Sequence, residues 1–167
     1  AAKATATEIG SLATAISNKT AVDDEAVQSG SNLLLTFKNV RNEAGKGNKI
    51  FARATAAAVD LSASGFGSIS SSSKMLGKAL NDPLKGISAL SRAGVTFTDS
   101  QKAQIAALVA SGDTAKAQAL IMNEVESQVG GSAAAQATSA EKLTTSWNNF
   151  KEQIGTGMLP MLDDLAN

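Results

Sequence analysis

The chain has 167 residues, enough for one domain or two small ones, and its 15 Lys and Arg residues balance its 15 Asp and Glu residues. With zero net charge and no basic block, the sequence gives no signal for binding nucleic acid or an anionic membrane. It contains neither Cys nor His, which excludes disulfides, thiolate metal sites, cysteine nucleophiles and histidine bases.

The first ten residues, AAKATATEIG, contain no initiator Met and no apolar signal sequence. They begin as if cut from inside a helix. No run of residues in the sequence is apolar over the length that a membrane span needs. We therefore expect a fragment of a longer protein, with no membrane segment in this fragment.

The first predicted helix has one apolar face, on which Ile9, Leu12 and Ile16 lie three and four residues apart. The polar run Asn18–Thr20 is expected to break it. The last residue of that run, together with Asp23, is expected to form the N-terminal cap of the second helix.

The second and third helices are predicted from their apolar stripes. The stripe of the second comprises Ala26, Gly30, Leu33, Phe37 and Val40. This helix ends in a polar loop that contains two glycines, at residues 42–48. The third helix runs from Ile50 to Leu61. Its inner face comprises Ala54, Ala57, Ala58 and Leu61.

The segment SASGFGSISSSS, residues 62–73, is the most loop-like part of the sequence. It is the natural place for a subdivision of the chain, although Phe66 and Ile69 favour a packed loop over a flexible linker. A helix is predicted to follow this segment. Its inner side comprises Ile69, Ser72, Leu76 and Leu80.

The stretch from Gly77 to Thr98 predicts a corner between short helices. Asp82 is a typical N-cap, and Pro83 follows at the first helical position, where a missing N–H costs no hydrogen bond. Gly94 is expected to end the helix with a positive φ, and we interpret Gly86 as another interruption of the helical pattern. The apolar face of this helix comprises Leu84, Ile87 and Leu90.

Two more helices are predicted after the corner. Thr98 and Gln101, three residues apart, match a capping box, and Gly112 ends the helix that they begin. Asp113 caps the next helix, which stops at Gly130–Gly131. Its apolar residues recur every fourth position: Ala117, Ile121, Val125 and Val129.

The last predicted helix begins at a second capping box, Thr138 with Glu141. Its apolar row comprises Leu143, Trp147, Phe150 and Ile154, extended by Met158, Met161 and Leu165. Pro160 is expected to end or kink this helix near residue 158 or 159. Two interpretations of Trp147 and the two methionines stay open: an exposed partner site, and a buried core stripe, which this spacing favours.

Together these segments predict an all-α fold. Residues 1–167 form a single helical module in this interpretation, and a division near residues 62–73 is the alternative. We expect about seven to eight short to medium amphipathic helices in an irregular bundle, joined by turns that contain Gly or Pro. Helices this short need one another to bury their apolar faces.

No pattern points to catalytic, cofactor-binding or metal-binding residues. A muramidase-like cell-wall hydrolase needs carboxylates and no histidine, and Glu124, Glu126 and Glu152 would be its candidates. All three lie among polar neighbours on predicted amphipathic helices, so a surface role is the default. Ser70–Ser73 with Lys74 suggests a serine–lysine dyad, but no strained nucleophile turn supports one.

Two weaker patterns have structural explanations. The glycine pairs at 45 and 47 and at 65 and 67 lack the remaining residues of a dinucleotide or phosphate-binding motif, so flexible loops explain them better. The adjacent acids Asp23–Asp24 and Asp163–Asp164 point about 100° apart on a helix and do not converge on a metal ion.

The order of the motifs resembles a known family. The string LGKALNDPLKGISALSRAGVTFTDSQKAQIAALVASGD is followed by AQALI, by QVGGSAAA and by the ending WNNFKEQIGTGMLPMLDDLA. This succession, preceded by LLLTFKNVRNE and FARATAAAVDLSASGFGS, resembles the tail-length tape-measure proteins of tailed bacteriophages and prophages. The resemblance extends from Ile16 to the end of the chain.

The resemblance implies a structural virion protein with no catalytic residues in this region. Tape-measure proteins occupy the lumen of the tail tube, set tail length during assembly and leave the tail before DNA ejection. The implied locations are the tail lumen or tip of the virion and the host cytoplasm during assembly. Implied partners are the tail tube protein, tail-assembly chaperones, tail-tip proteins and further copies of the same chain.

The breaks in the helical pattern refine this expectation. A single helix of this length would span roughly 250 Å, as a ruler requires. Glycines, capping boxes and two prolines interrupt the chain instead. We therefore expect a compact module within or beside the ruler. A helical module that binds tail-tip or host proteins is a further alternative.

Overall fold

The computed structural model describes residues 4–42 and 49–165, with side chains up to residue 155 apart from residue 140. Within these ranges the chain is all-α, as predicted, with nine helices and no strand; Asn42 and Lys49 form an isolated antiparallel bridge. The helices are α1 (Ala6–Thr20), α2 (Asp24–Leu35), α3 (Ile50–Ala63), α4 (Ile69–Asn81), α5 (Pro83–Ala93), α6 (Asp99–Ala110), α7 (Thr114–Val129), α8 (Ser132–Gln136) and α9 (Ser139–Leu165).

The junction of the first two helices differs from the prediction. α1 does not break at Asn18 but continues to Thr20, whose hydroxyl donates to the carbonyl of Ile16 at 2.8 Å. Polar residues fit the last turn of a helix because their side chains can bond backbone groups there. Asp23 caps α2 by accepting from the N–H of Glu25 at 2.9 Å.

The buried face of α2 is offset from the predicted stripe. α2 ends at Leu35, so Phe37 and Val40 follow the helix and do not continue its face. The predicted stripe was aligned on these two residues, and a helical face that contains them also contains Ala26 and Leu33. The residues buried on α2 are Val27, Gly30, Ser31 and Leu34.

The main core lies around α3, whose predicted inner face is confirmed. The buried side chains of this face are Ala54, Ala57, Ala58 and Leu61. α4 packs against α3, and Leu76 and Leu80 contribute to the same core, as predicted. The main core thus draws residues from both sides of the segment 62–73.

The serine-rich segment is part loop and part helix. Residues 64–68 link α3 to α4, as a packed loop would, whereas α4 already begins at Ile69, so the serines at 70–73 are helical and not part of the loop. Ser68 caps α4 by accepting from the N–H of Ser71 at 3.2 Å, so the serines that follow form the first turns of the helix. Serine often favours loops, but at an N-cap its side chain accepts a backbone hydrogen bond and stabilises the start of a helix.

Three turn predictions for the α4–α5 corner are confirmed. Asp82 accepts from the N–H of Lys85 at 3.4 Å and caps α5, and Pro83 occupies the first turn. Gly94 ends α5 with a φ of 117°, a conformation that residues with a Cβ rarely adopt.

The prediction that Gly86 interrupts a helix is wrong. Gly86 lies inside α5, and a Cβ there would overlap the Cα of Ala79 in α4. Glycine therefore lets the two backbones approach each other closely. Leu84 also differs, because its side chain is 47% exposed. The buried face of α5 comprises Pro83, Gly86, Ile87 and Leu90.

The capping predictions for α6 and α7 are confirmed. The hydroxyl of Thr98 accepts from the N–H of Gln101 at 3.2 Å, and the side-chain oxygen of Gln101 accepts from the N–H of Thr98 at 2.8 Å. Asp113 caps α7 by accepting from the N–H of Lys116 at 3.2 Å. The predicted apolar row of α7 is buried: Ala117, Ile121, Val125 and Val129.

The predicted glycine stops lie where helices end. Gly112 follows α6 with a φ of 82°, and Gly131 follows α7 with a φ of 81°. Gly130 has a φ of −57°, and its N–H donates to the carbonyl of Glu126. The left-handed conformation that favours glycine thus occurs at the second residue of the Gly130–Gly131 pair.

The last helix continues through Pro160. α9 reaches Leu165, so it does not end near residue 158 or 159, and of the two expected outcomes the kink stays a prediction. A proline removes a single N–H from the helical hydrogen bonds, and a helix can continue across it. The side chains of Met158, Met161 and Asp163–Asp164 lie outside the described ones, and the glycines at 45 and 47 lie outside the described residues.

Candidate functional site

The last helix carries a row of exposed apolar side chains. Of the five large hydrophobic side chains exposed among the described residues, four lie on α9 and the fifth is Leu84. The four, which we call the α9 stripe, are Leu143 (73% exposed), Trp147 (58%), Phe150 (50%) and Ile154 (45%). Isolated apolar residues are ordinary on a protein surface, whereas a contiguous row marks a contact surface.

A capping box fixes the start of α9. The hydroxyl of Thr138 accepts from the N–H of Glu141 at 3.2 Å. The Glu141 carboxylate accepts from both the hydroxyl and the N–H of Thr138, each at 2.7 Å. These hydrogen bonds, with the hydroxyl's contribution the larger, hold the pKa of Glu141 below its ordinary value of 4.5. The negative charge also suits the N-terminal end of the helix dipole.

The spacing of the α9 stripe is that of a coiled-coil seam. Its intervals of four, three and four residues match alternating d and a positions of a heptad repeat, with Trp147 and Ile154 at a and Leu143 and Phe150 at d. The rings of Trp147 and Phe150 touch, with centroids 5.7 Å apart and planes inclined by 32°. The stripe therefore has the shape of one half of a two-helix contact.

Polar side chains attach α9 to the rest of the protein. Asn149 is 8% exposed, and its amide donates to the hydroxyl of Ser17 at 3.2 Å and to the side-chain oxygen of Asn18 at 2.9 Å. Two residues along a helix turn by about 200°, so Asn149 lies on nearly the opposite side from Trp147. No described side chain of α9 belongs to a hydrophobic core cluster.

The prediction that this apolar row is a core stripe is therefore wrong. Helical periodicity shows which residues share a face, but it does not show which face meets the core. Here α9 contacts α1 through Asn149, and the apolar face on the other side of the helix is exposed. The feature of the sequence that could have indicated this orientation is Asn149, a polar residue on the side of the helix that packs against α1.

The residues predicted to be architectural do not form one site. They lie at five separate places: the α4–α5 corner, the start of α6, the turn after α6, the turn after α7, and α9. They comprise Asp82, Pro83, Gly86, Gly94, Thr98, Gln101, Gly112, Gly130, Gly131, Trp147 and Pro160. Of these, Trp147 alone has an exposed apolar side chain among those described.

The structure does not bring the three candidate carboxylates together. Glu126 accepts from two nitrogens of Arg53, each at 2.7 Å, and so links α7 to α3. Glu124 accepts from the side chain of Gln101 on α6. Glu152 is exposed on α9. The contacts of the first two join helices to one another.

Burial removes two of the four serines from the serine–lysine pattern. Ser72 and Ser73 are fully buried in α4, whereas Ser70 is half-buried and lines one surface cavity together with the exposed Lys74. In the described part of the chain, no three His, Cys, Asp or Glu residues gather to suit a metal ion. The helices described there also lack the combination of length and apolarity that crossing a bilayer requires.

Comparison of the chain with protein-family models, curated proteins and solved structures finds no match. The interpretation of function therefore depends on the chain's own residues and on their arrangement.

Proposed function

We propose that the chain is a folded structural segment of a bacteriophage or prophage tail tape-measure protein. Such a protein sets tail length during assembly and is released at infection, and in this proposal the segment has no enzymatic activity. The order of the motifs along the sequence supports the proposal. The longest of these motifs, residues 76–113, contains the α4–α5 corner and the capped helix α6.

The observation that carries the proposal is the α9 stripe. A structural protein acts through contacts with other chains, and such contacts need an apolar surface that its own fold leaves uncovered. The stripe combines an aromatic pair, Trp147 and Phe150, with two aliphatic side chains. Aromatic residues of this kind dominate the energetics of protein interfaces.

A second copy of this chain is the partner that we propose for the stripe. Its intervals of four, three and four residues read the same in both directions. Two antiparallel copies related by a twofold axis would therefore pair Leu143 with Ile154 and Trp147 with Phe150. The positions beside the seam carry one charge, Lys151, so blocks of like charge do not face each other. These flanking residues are Thr144, Ser146, Lys151 and Gln153.

The size of the stripe sets the strength of this contact. Its exposed apolar area is on the order of 400 Å² per copy, about half of the 800 Å² that each partner buries in a typical stable interface. The contact is therefore weak between free copies. Where other contacts already hold copies close together, a high effective concentration would strengthen it.

The remaining partners and the location follow from the same proposal. We infer contacts with the tail tube protein, tail-assembly chaperones and tail-tip proteins. The corresponding locations are the tail lumen or tip of the virion, and the host cytoplasm during assembly.

The experiment that tests the assembly contact is multi-angle light scattering over a concentration series up to about millimolar, where contacts of this size associate. We expect the mass of the wild-type chain to rise with concentration and that of Trp147→Ala to stay monomeric. Leu84→Ala removes an exposed leucine outside the stripe and should behave as wild type. If wild type stays monomeric, or if Trp147→Ala associates equally, a second copy is not the partner.

A separate experiment tests the absence of enzymatic activity. We expect no release of dye from labelled peptidoglycan above the buffer control. If release occurs and is lost in Glu124→Gln or Glu126→Gln, the chain is a cell-wall hydrolase and the structural proposal fails.

A further inference from the structure

Two buried hydroxyl groups have no hydrogen-bond partner, and they are adjacent in α4. Ser72 and Ser73 are fully buried, and the oxygen of neither side chain has a partner. The other five buried polar side chains among the described residues all make hydrogen bonds. They are Ser17, Ser31, Thr55, Gln118 and Asn149. Among the buried side chains of the described residues, unsatisfied polar atoms are thus confined to Ser72 and Ser73.

One of the two serines, Ser73, lies at the contact between α4 and α2. A Cβ at Gly30 of α2 would lie 2.7 Å from the Cγ2 of Ile69 and 2.8 Å from the hydroxyl oxygen of Ser73. The two helices therefore meet through a glycine and a serine at this point. A buried hydroxyl without a partner has lost its hydrogen bond to water and gained none in exchange, so it favours separation of the surfaces that enclose it.

On its other side the α1–α2 hairpin, residues Ala6–Leu35, adds Leu34 to the main core, while Ile9 and Leu12 of α1 pack against that core only partly buried. α1 buries three residues, compared with eight on α3. These three are Ala13, Ile16 and Ser17. The apolar ones belong to the smaller core cluster, with Val27, Val59 and Ala133. Toward α9, α1 makes the polar contact with Asn149.

We propose that the α1–α2 hairpin opens away from α4 as a unit before the rest of the helices unfold, and that the unpaired hydroxyl of Ser73 promotes this opening. Opening lets water reach the hydroxyl and satisfies it. It also exposes Val27 and Leu34, which are fully buried, so the open form is a minor state. This inference is independent of the proposed function, since it depends on the packing of the hairpin alone.

Hydrogen exchange of backbone amides, followed by mass spectrometry of peptides, tests the proposal. In the wild-type chain we expect amides of α1 and α2 to exchange at least about tenfold faster than those of α3 and α7, because they exchange through the smaller opening. Equal rates in all four helices would show that the hairpin does not open separately and would overturn the proposal.

Two alanine variants distinguish the effect of losing the unpaired hydroxyl from the effect of alanine's higher helix propensity. Ser73→Ala removes the unpaired hydroxyl, and we expect it to slow exchange in α1 and α2 by about tenfold. Ser70→Ala makes the same change at a half-buried position of α4 and should slow exchange by less than about threefold. If both variants have the same effect, Ser73 does not promote the opening. If Ser73→Ala folds poorly, the same exchange measurement on Ser72→Ala tests the other unpaired hydroxyl.

Discussion

Helices α3 and α9 are both amphipathic by sequence, yet they lie in opposite environments. α3 buries a face rich in alanine, together with Phe51, which is fully buried. The side chains of the α9 stripe are larger and lie at regular helical spacing, and at least 45% of each is exposed. The helix with the smaller side chains therefore lies in the core, and the one with the larger side chains lies outside it.

Small and polar side chains decide this difference. Alanines on α3 let neighbouring helices approach closely, and glycines play the same role at Gly30 and Gly86 on α2 and α5. α9 instead meets α1 through Asn149, whose amide needs polar partners and finds them in Ser17 and Asn18. The amount of apolar surface on a helix therefore does not by itself determine whether that surface is buried.

The largest expected effect contrasts two phenylalanines. Phe51→Ala should lower the free energy of unfolding by about 3–5 kcal/mol, since it leaves a cavity in the main core. Phe150→Ala removes the same ring from the α9 stripe and should change it by less than about 1 kcal/mol. Urea unfolding followed by circular dichroism measures both. Similar losses in the two variants would mean that α9 is packed as tightly as α3.

A second contrast concerns two glycines inside helices. Gly86→Ala should destabilise the fold by about 3 kcal/mol, because the new methyl group meets the backbone of α4 at Ala79. Gly10→Ala lies in α1 with no atom within 4 Å of its Cβ and should stabilise the fold by about 0.5–1 kcal/mol. The same urea experiment applies. A stable Gly86→Ala variant would contradict the close approach of α4 and α5.

Detachment of α9 should have an intermediate effect. Asn149→Ala removes both hydrogen bonds to α1 and should weaken the attachment of α9 by about 1–2 kcal/mol. Hydrogen exchange in residues 139–155 should accelerate while exchange in α3 and α7 stays unchanged. Asn148→Ala, at an exposed neighbouring position, is the matched control. Faster exchange in α3 as well would show that α9 stabilises the whole fold.

The smallest effect concerns pH. The pKa of Glu141 is lowered in the folded chain, so its contribution to stability is present above the ordinary value of 4.5 and is lost as pH falls through the folded pKa. The start of α9 should therefore fray in acid. NMR titration of the Glu141 carboxyl carbon should give a midpoint below 4.5, and Thr138→Ala should return it toward 4.5. Glu8, in the matching capping box of α1, should be unaffected by that variant. An unchanged midpoint in Thr138→Ala would contradict the capping interaction.

Much of the local structure was predictable because caps act over three or four residues. Asp82, Thr98, Asp113 and the Thr138–Glu141 pair begin helices where their sequence patterns place them. The buried row of α7 was also predictable, because a regular apolar row within a bundle normally faces the core.

Features that depend on a neighbouring element were not predictable in the same way. The role of Gly86 depends on the backbone of α4, which a pattern within α5 does not contain. The predicted buried face of α2 was wrong because Phe37 and Val40, which lie beyond the end of the helix, were counted as part of it. The exposure of Trp147 was not predicted for the same kind of reason, since it depends on what α1 offers to the opposite side of α9.

By itself, therefore, the sequence determined the helical class, most helix starts and the membership of most helix faces, because backbone capping and helical periodicity are local. The tertiary structure alone decided which faces are covered. Burial is a property of two surfaces that fit, and here α9 meets α1 through Asn149, on the side away from Trp147, so the α9 stripe is exposed.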